Sequence, residues 1–184
     1  DFRPNTCTAI LGETGAGKTT MVRLILALIQ PTSGHVYIYN KEREQDISPL
    51  TRCNLIYVPQ GNTLLSGTIR DNLRMGRFDA TDEEMMQALD KACAGFVRDI
   101  PGGLDASCSE AGGGLSEGQA QRISIARALL REGSVMIFDE ATSALDPETE
   151  RQLLANLLQE RRQTIIFITH RPAVVDYCDQ VLRI

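Results

Sequence analysis

Between Gly12 and Thr20 the chain reads G-E-T-G-A-G-K-T-T, with glycines at 12, 15 and 17, a lysine at 18 and hydroxyls at 14, 19 and 20. Gly12, Gly17, Lys18 and Thr19 fill the fixed positions of G-x-x-x-x-G-K-[ST]. Glycines let backbone N–H groups turn inward and approach phosphate oxygens that a Cβ would keep away. Lys18 supplies one fixed cation for the β- and γ-phosphates, and the Thr19 hydroxyl is a ligand for Mg²⁺. The chemistry this stretch suits is the holding of a nucleotide's phosphate chain with magnesium. Its residues Gly12, Glu13, Thr14, Gly15, Ala16, Gly17, Lys18, Thr19 and Thr20 are the candidate contacts.

A second feature is Asp139-Glu140, which closes the apolar run Val135-Met136-Ile137-Phe138. An acid at the carboxyl end of a buried parallel strand stands where open α/β sheets bind ligands. Asp139 is then a candidate for holding Mg²⁺. Glu140 is the candidate for polarising a water beside the γ-phosphate. Two solvated acids after a strand are a common alternative, and the loop at Gly12 weighs against it.

The elements that must position these groups are legible in outline. Ala9-Ile10-Leu11 is a strand entering the loop, and Met21 to Leu28 is a helix leaving it, its N-terminal dipole aimed at the phosphates. Gln30-Pro31-Thr32-Ser33-Gly34 stops that helix, and His35 to Tyr39 is β-rich. A short strand at Leu55 to Val58 is closed by Pro59. From Gly61 to Arg131 the pattern is mostly helical, with a capping box at Thr81-x-x-Glu84 and apolar Met85, Ala88, Leu89 and Ala92 behind it. Ser116-x-x-Gln119 opens another helix, and Asp146-Pro147 starts a third with a capping acid and proline. Strands return at Thr164 to Thr169 and Gln180 to Ile184. This alternation predicts an α/β fold with a mostly parallel sheet, residues 1–60 and 133–184 forming the core and 61–132 an inserted helical lobe.

The bulk properties suit that architecture. The chain has 184 residues, 42% of them hydrophobic and 23% charged, values ordinary for a globular protein. A net charge of −5 gives no reason to expect a nucleic-acid partner. Five scattered cysteines without a C-x-x-C pair suggest reduced thiols. The longest apolar run, Leu24 to Ile29, is core-sized and far short of a membrane span.

Leu115-Ser116-Glu117-Gly118-Gln119 resembles the L-S-G-G-Q signature of ATP-binding cassette (ABC) ATPases. Val58-Pro59-Gln60 is similar to their Q-loop, Ser143-Ala144-Leu145-Asp146 to their D-loop, and Thr169-His170 to their switch histidine, in the family's order. The resemblance implies a P-loop NTPase core with an inserted helical subdomain. It also implies a head-to-tail dimer, homo- or heteromeric, of nucleotide-binding domains with two ATP molecules between them. Each ATP would meet Gly12 to Thr20 of one chain and Ser116, Gly118 and Gln119 of the other, with Asp146 nearby. By the same resemblance Gln60 joins Thr19 and Asp139 at Mg²⁺, and His170 contacts the γ-phosphate and orients Glu140. Read from the residues alone, Ser116 also caps its own helix with Gln119, and both roles are compatible. A lone histidine is more often a core residue. Glu117 stands where the family has a glycine, and Ala120 where it has a basic or polar residue; retained function is expected.

Gly67-Thr68-Ile69-Arg70-Asp71-Asn72 is similar to a segment of exporter-type cassettes. So are Pro101-Gly102-Gly103-Leu104-Asp105 and Ser109-Glu110-Ala111-Gly112, where Glu110 would face the cytoplasmic loops of a membrane domain. The implied function is the ATPase motor of an ABC exporter, at the cytoplasmic face of the membrane, with a transmembrane domain of the same transporter as partner. A fragment cut at its amino terminus is expected, lacking the adenine-stacking aromatic. Alternatives are a soluble ABC ATPase and a nucleotide-gated clamp without hydrolysis; Glu140 and His170 weigh against the clamp.

Overall fold

The computed structural model describes residues 1–13, 15–108, 114–159 and 162–184. Among them are nine strands: β1 Cys7–Leu11, β2 Tyr37–Tyr39, β3 Glu44–Asp46, β4 Leu55–Val58, β5 Gly67–Thr68, β6 Ser107–Cys108, β7 Val135–Asp139, β8 Thr164–Ile168 and β9 Gln180–Arg183. The helices are α1 Lys18–Ile25, α2 Ile69–Arg74, α3 Asp82–Lys91, α4 Glu117–Leu129, α5 Pro147–Leu158 and α6 Pro172–Val175. The main sheet runs β4-β7-β8-β1-β9, and the pairs β2-β3 and β5-β6 stand apart as antiparallel ladders.

β1 lies parallel to both β8 and β9. Parallel strands covered on both faces carry apolar residues at every position rather than at alternate ones. That explains T-I-I-F-I in β8, buried along its whole length, and the buried Met136, Ile137 and Phe138 in β7. Where the reading from sequence expected strands at 35–39, 55–58, 135–138, 164–169 and 180–184, β2, β4, β7, β8 and β9 occupy those places. β3 was hidden in a polar stretch, because all three of its residues are exposed and leave no apolar alternation to read.

Two compact units divide the chain: Asp1–Ile56 with Glu132–Ile137 and Arg162–Ile184, and Tyr57–Arg131 with Phe138–Arg161. In the first, α1 buries Val22 and Ile25. Arg52 donates from Nε to the Leu26 carbonyl at 2.8 Å and from an Nη to the Ala27 carbonyl at 2.6 Å. These bonds satisfy acceptors that a helix end leaves open.

In the second unit, α4 is buried nearly all round, through Ala120, Gln121, Ile123, Ser124, Ile125, Ala126 and Ala128. The Arg122 guanidinium lies 4.7 Å from the centre of the Phe96 ring and donates to the Cys93 carbonyl at 2.7 Å. Asn72 is fully buried, its carboxamide bonded to the Leu65 N–H and to the Leu65 and Thr68 carbonyls. Arg70 reaches Asp105 and Asp82. The exporter-like segment Gly67 to Asn72 therefore works structurally, tying the start of α2 to α3 and to the turn at Gly103–Asp105. The companion residues Ser109, Glu110, Ala111 and Gly112 lie outside the described residues.

Candidate functional site

The loop between β1 and α1 lies in the first unit. Gly15 and Gly17 hold φ of 88° and 100°, a region where L side chains are strained, which is why glycines stand there. A Cβ at Gly12 would come within 2.8 Å of the Ile184 carbonyl oxygen, so the position must stay bare. Lys18 Nζ donates to the Gly12 carbonyl at 2.6 Å and the Glu13 carbonyl at 2.8 Å, bending back over its own loop. Gly17 caps α1 without any side-chain hydrogen bond, while Gly15, Ala16, Gly17, Thr19 and Thr20 are exposed. Open N–H donors at a helix start, a cation folded across them and a hydroxyl at Thr19 form a donor set that fits a triphosphate with Mg²⁺. Thr14, also a candidate contact, lies outside the described residues.

The same unit carries His170. Thr169 is buried; its N–H bonds the Ile10 carbonyl at 3.1 Å, and its hydroxyl accepts from the Arg171 N–H at 3.0 Å. His170, placed between these fixed points, is exposed rather than a core residue.

The remaining candidates belong to the second unit. Asp139 ends β7 half-buried, and its Oδ2 accepts from the Tyr57 phenol at 2.9 Å. Glu140 follows with φ of 48°, a left-handed conformation uncommon outside glycine. Among the described residues there is no cluster of three or more His, Cys, Asp or Glu side chains suited to a metal ion. Gln60 is exposed just beyond β4, followed by Gly61 with φ of 81°.

Ser116 caps α4 in full: its hydroxyl accepts from the Gln119 N–H at 3.2 Å, and Gln119 Oε1 accepts from the Ser116 N–H at 2.9 Å. Both side chains are thus engaged with their own helix. Gly118 has a packing reason, since a Cβ there would lie 2.8 Å from the Ala144 carbonyl oxygen. Gln121, buried in α4, accepts from the Ala144 N–H at 3.3 Å. The signature and the D-loop are therefore one packed piece, a link that no sequence spacing announces. Glu117 is exposed in the first turn of α4, where a negative charge suits the helix dipole, and Ala120 is fully buried. Asp146 caps α5, accepting from the Glu148 and Thr149 N–H groups at 3.1 and 3.0 Å. A hydrogen bond from the Thr149 side chain above all, together with these backbone bonds, holds its carboxyl below the usual range.

The sequence model of the family described as ABC transporter matches residues 1–143, most of the chain. The chain belongs to the ABC transporter family. It is 38% identical over 180 residues to the mitochondrial iron-sulfur clusters transporter ATM1 of Saccharomyces cerevisiae, covering 95% of this chain and 26% of that protein. It is 40% identical to antigen peptide transporter 2 of Mus musculus, over 98% of this chain and 26% of that one. Against the β-(1→2)glucan export ATP-binding/permease protein NdvA of Agrobacterium vitis the identity is 41%, over 95% and 30%. Among solved structures, a bacterial Atm1-family ABC exporter with ATP bound superposes with a TM-score of 0.89 at 34% identity, over 98% of this chain and 32% of the other. The fold is that of an ABC ATPase, and the chain spans about a quarter to a third of the length of these relatives. Among the described residues of this ABC-family chain no helix is long and apolar enough to cross a membrane.

Proposed function

We propose that the chain is the ATP-binding and hydrolysing domain of an ABC exporter, in which closure of a head-to-tail dimer of such domains drives transport. The observation that carries the proposal is the loop at Gly12 to Thr20: uncapped helix donors, left-handed glycines and Lys18 folded across them. Family membership and the exporter relatives support the transport half of the reading.

ATP with Mg²⁺ supplies the activated phosphoanhydride. The chain's residues do the rest. The backbone of Gly12 to Thr20 holds the phosphates, and Lys18 exchanges its loop carbonyls for β- and γ-oxygens. Thr19, Asp139 and Gln60 are the residues that would hold the cation. Glu140 accepts the proton of the attacking water, and His170 orients it. Ser116, Gly118 and Gln119 present the α4 donors to the nucleotide of a second domain, beside Asp146. A transmembrane domain of the same transporter is the coupled partner, which puts the chain at the cytoplasmic membrane face.

Titration calorimetry tests the binding half. Lys18→Ala removes the loop's cation without touching the core, and we expect ATP affinity to fall by about ten- to a hundredfold, the range for a hydrogen bond to a charged group. Equal affinities in the two proteins would place the nucleotide elsewhere.

A further inference from the structure

Tyr57 sits in β4, two residues before Pro59, and its phenolic O–H donates to Oδ2 of Asp139 at 2.9 Å. Both residues belong to the same compact unit. The carboxyl torsion of an aspartate is broad and roughly two-fold, so a single donor on one oxygen decides which way the group faces. It also leaves the other oxygen for a cation or for water bound to it. We infer that Tyr57 is a positioning residue that sets the carboxylate of Asp139 for Mg²⁺; the inference rests on the nucleotide-hydrolysing reading above.

Packing alone does not ask for this hydroxyl. Leu55, Ile56 and Val58 are buried, whereas Tyr57 is half-buried. The residue lines a cavity of about 250 Å³, with Pro59, Thr63 and Arg127 among the other lining residues. A phenylalanine would fill the same wall. The hydroxyl is the part that reaches the acid. Groups that orient a metal's carboxylate ligand are commonly worth 10–100-fold in metal affinity or activity when removed.

The opposite account is that Asp139 merely satisfies a half-buried phenol, as tyrosines usually require. A mutant cycle read by metal dependence separates the two. Affinity for the non-hydrolysable β,γ-imido analogue of ATP is measured in EDTA and in Mg²⁺, for the chain, Tyr57→Phe, Asp139→Asn and the double variant. Circular dichroism confirms that each is folded. We expect Tyr57→Phe to leave the EDTA affinity unchanged and to cut the Mg²⁺ enhancement by about tenfold. Asp139→Asn should abolish the enhancement, and adding Tyr57→Phe to it should change nothing more. With Mn²⁺ in place of Mg²⁺, the bound-metal electron paramagnetic resonance spectrum should broaden in Tyr57→Phe. An unaltered enhancement in Tyr57→Phe, or an equal further loss in the Asp139→Asn background, overturns the inference and leaves the proposed function standing. A parent chain that binds the analogue with no metal enhancement, or not at all, overturns the functional reading and the inference with it.

Discussion

Glu140 holds a left-handed backbone, φ 48°, at the point where β7 gives way to the turn before α5. Its carbonyl accepts from the Ser143 N–H at 3.1 Å, so the turn is closed by a backbone bond as well. Such conformations cost about 1–3 kcal/mol in a non-glycine residue and persist where the surroundings over-determine them, often at functional sites. A glycine would relax the strain but would remove the carboxylate. Glu140→Gln keeps the backbone and the shape of the side chain while removing the proposed base. We expect ATP turnover to fall by about 10²- to 10⁴-fold, the usual worth of general base catalysis, with the melting temperature unchanged and an ATP-bound dimer accumulating. Phosphate release and size-exclusion chromatography check both parts. Undiminished turnover would move the base elsewhere, with His170 the next candidate.

At the scale of elements, caps decide where helices start. Thr68, Thr81 and Ser116 each close a capping box, and Asp146 caps α5. Bonds from the Thr68 backbone hold the Asp71 carboxyl below the ordinary 3.8. The Thr81 backbone does the same to Glu84, below the ordinary 4.5. Arg98 holds Asp90 down, Arg70 holds Asp105 down, and Thr149 leads the bonds that hold Asp146 down. All five lie in the second unit. A carboxyl depressed in the folded state binds fewer protons there than in the unfolded state. Its stabilisation is therefore complete above the ordinary value and is lost as pH falls through the folded one. We expect the melting temperature to be level between about pH 7 and 5.5 and to drop below about pH 4.5, with Asp105→Asn flattening the drop. Circular dichroism melts across that range measure it; a melting temperature that rises on acidification would contradict the assignment.

For the whole molecule the question is whether one chain makes a complete site. Ser116 and Gln119 are bonded to each other, and the signature packs on the D-loop through Gly118, Gln121 and Ala144. In the proposed reading, that piece faces a nucleotide held by a second copy, with the start of α4 as its anion site. Ser116→Arg and Lys18→Ala should each inactivate a homodimer. Mixed in equal amounts, they should recover roughly a quarter of the parent activity, because about half of the dimers are heterodimers and each rebuilds one of its two composite sites. The assay is phosphate release from mixtures shown to exchange subunits. No recovery in such a mixture would argue against sharing of the site.

The sequence by itself determined the local features: the loop at Gly12 to Thr20, the caps at Thr81, Ser116 and Asp146, the all-apolar strand at 135–138, the strand at 164–169, and the order of motifs. These depend on residues a few positions apart, through backbone freedom, capping and strand burial, so spacing alone reveals them. What only the tertiary structure decided lies between distant residues. Tyr57 reaches Asp139 across 82 positions. Gly118 is glycine because of Ala144, and Gly12 because of Ile184. β3, wholly exposed, exists through its ladder with β2 rather than through any apolar pattern. Close approaches of this kind are set by how elements stack, and a one-dimensional pattern holds no record of which backbone will come within 3 Å of a missing Cβ.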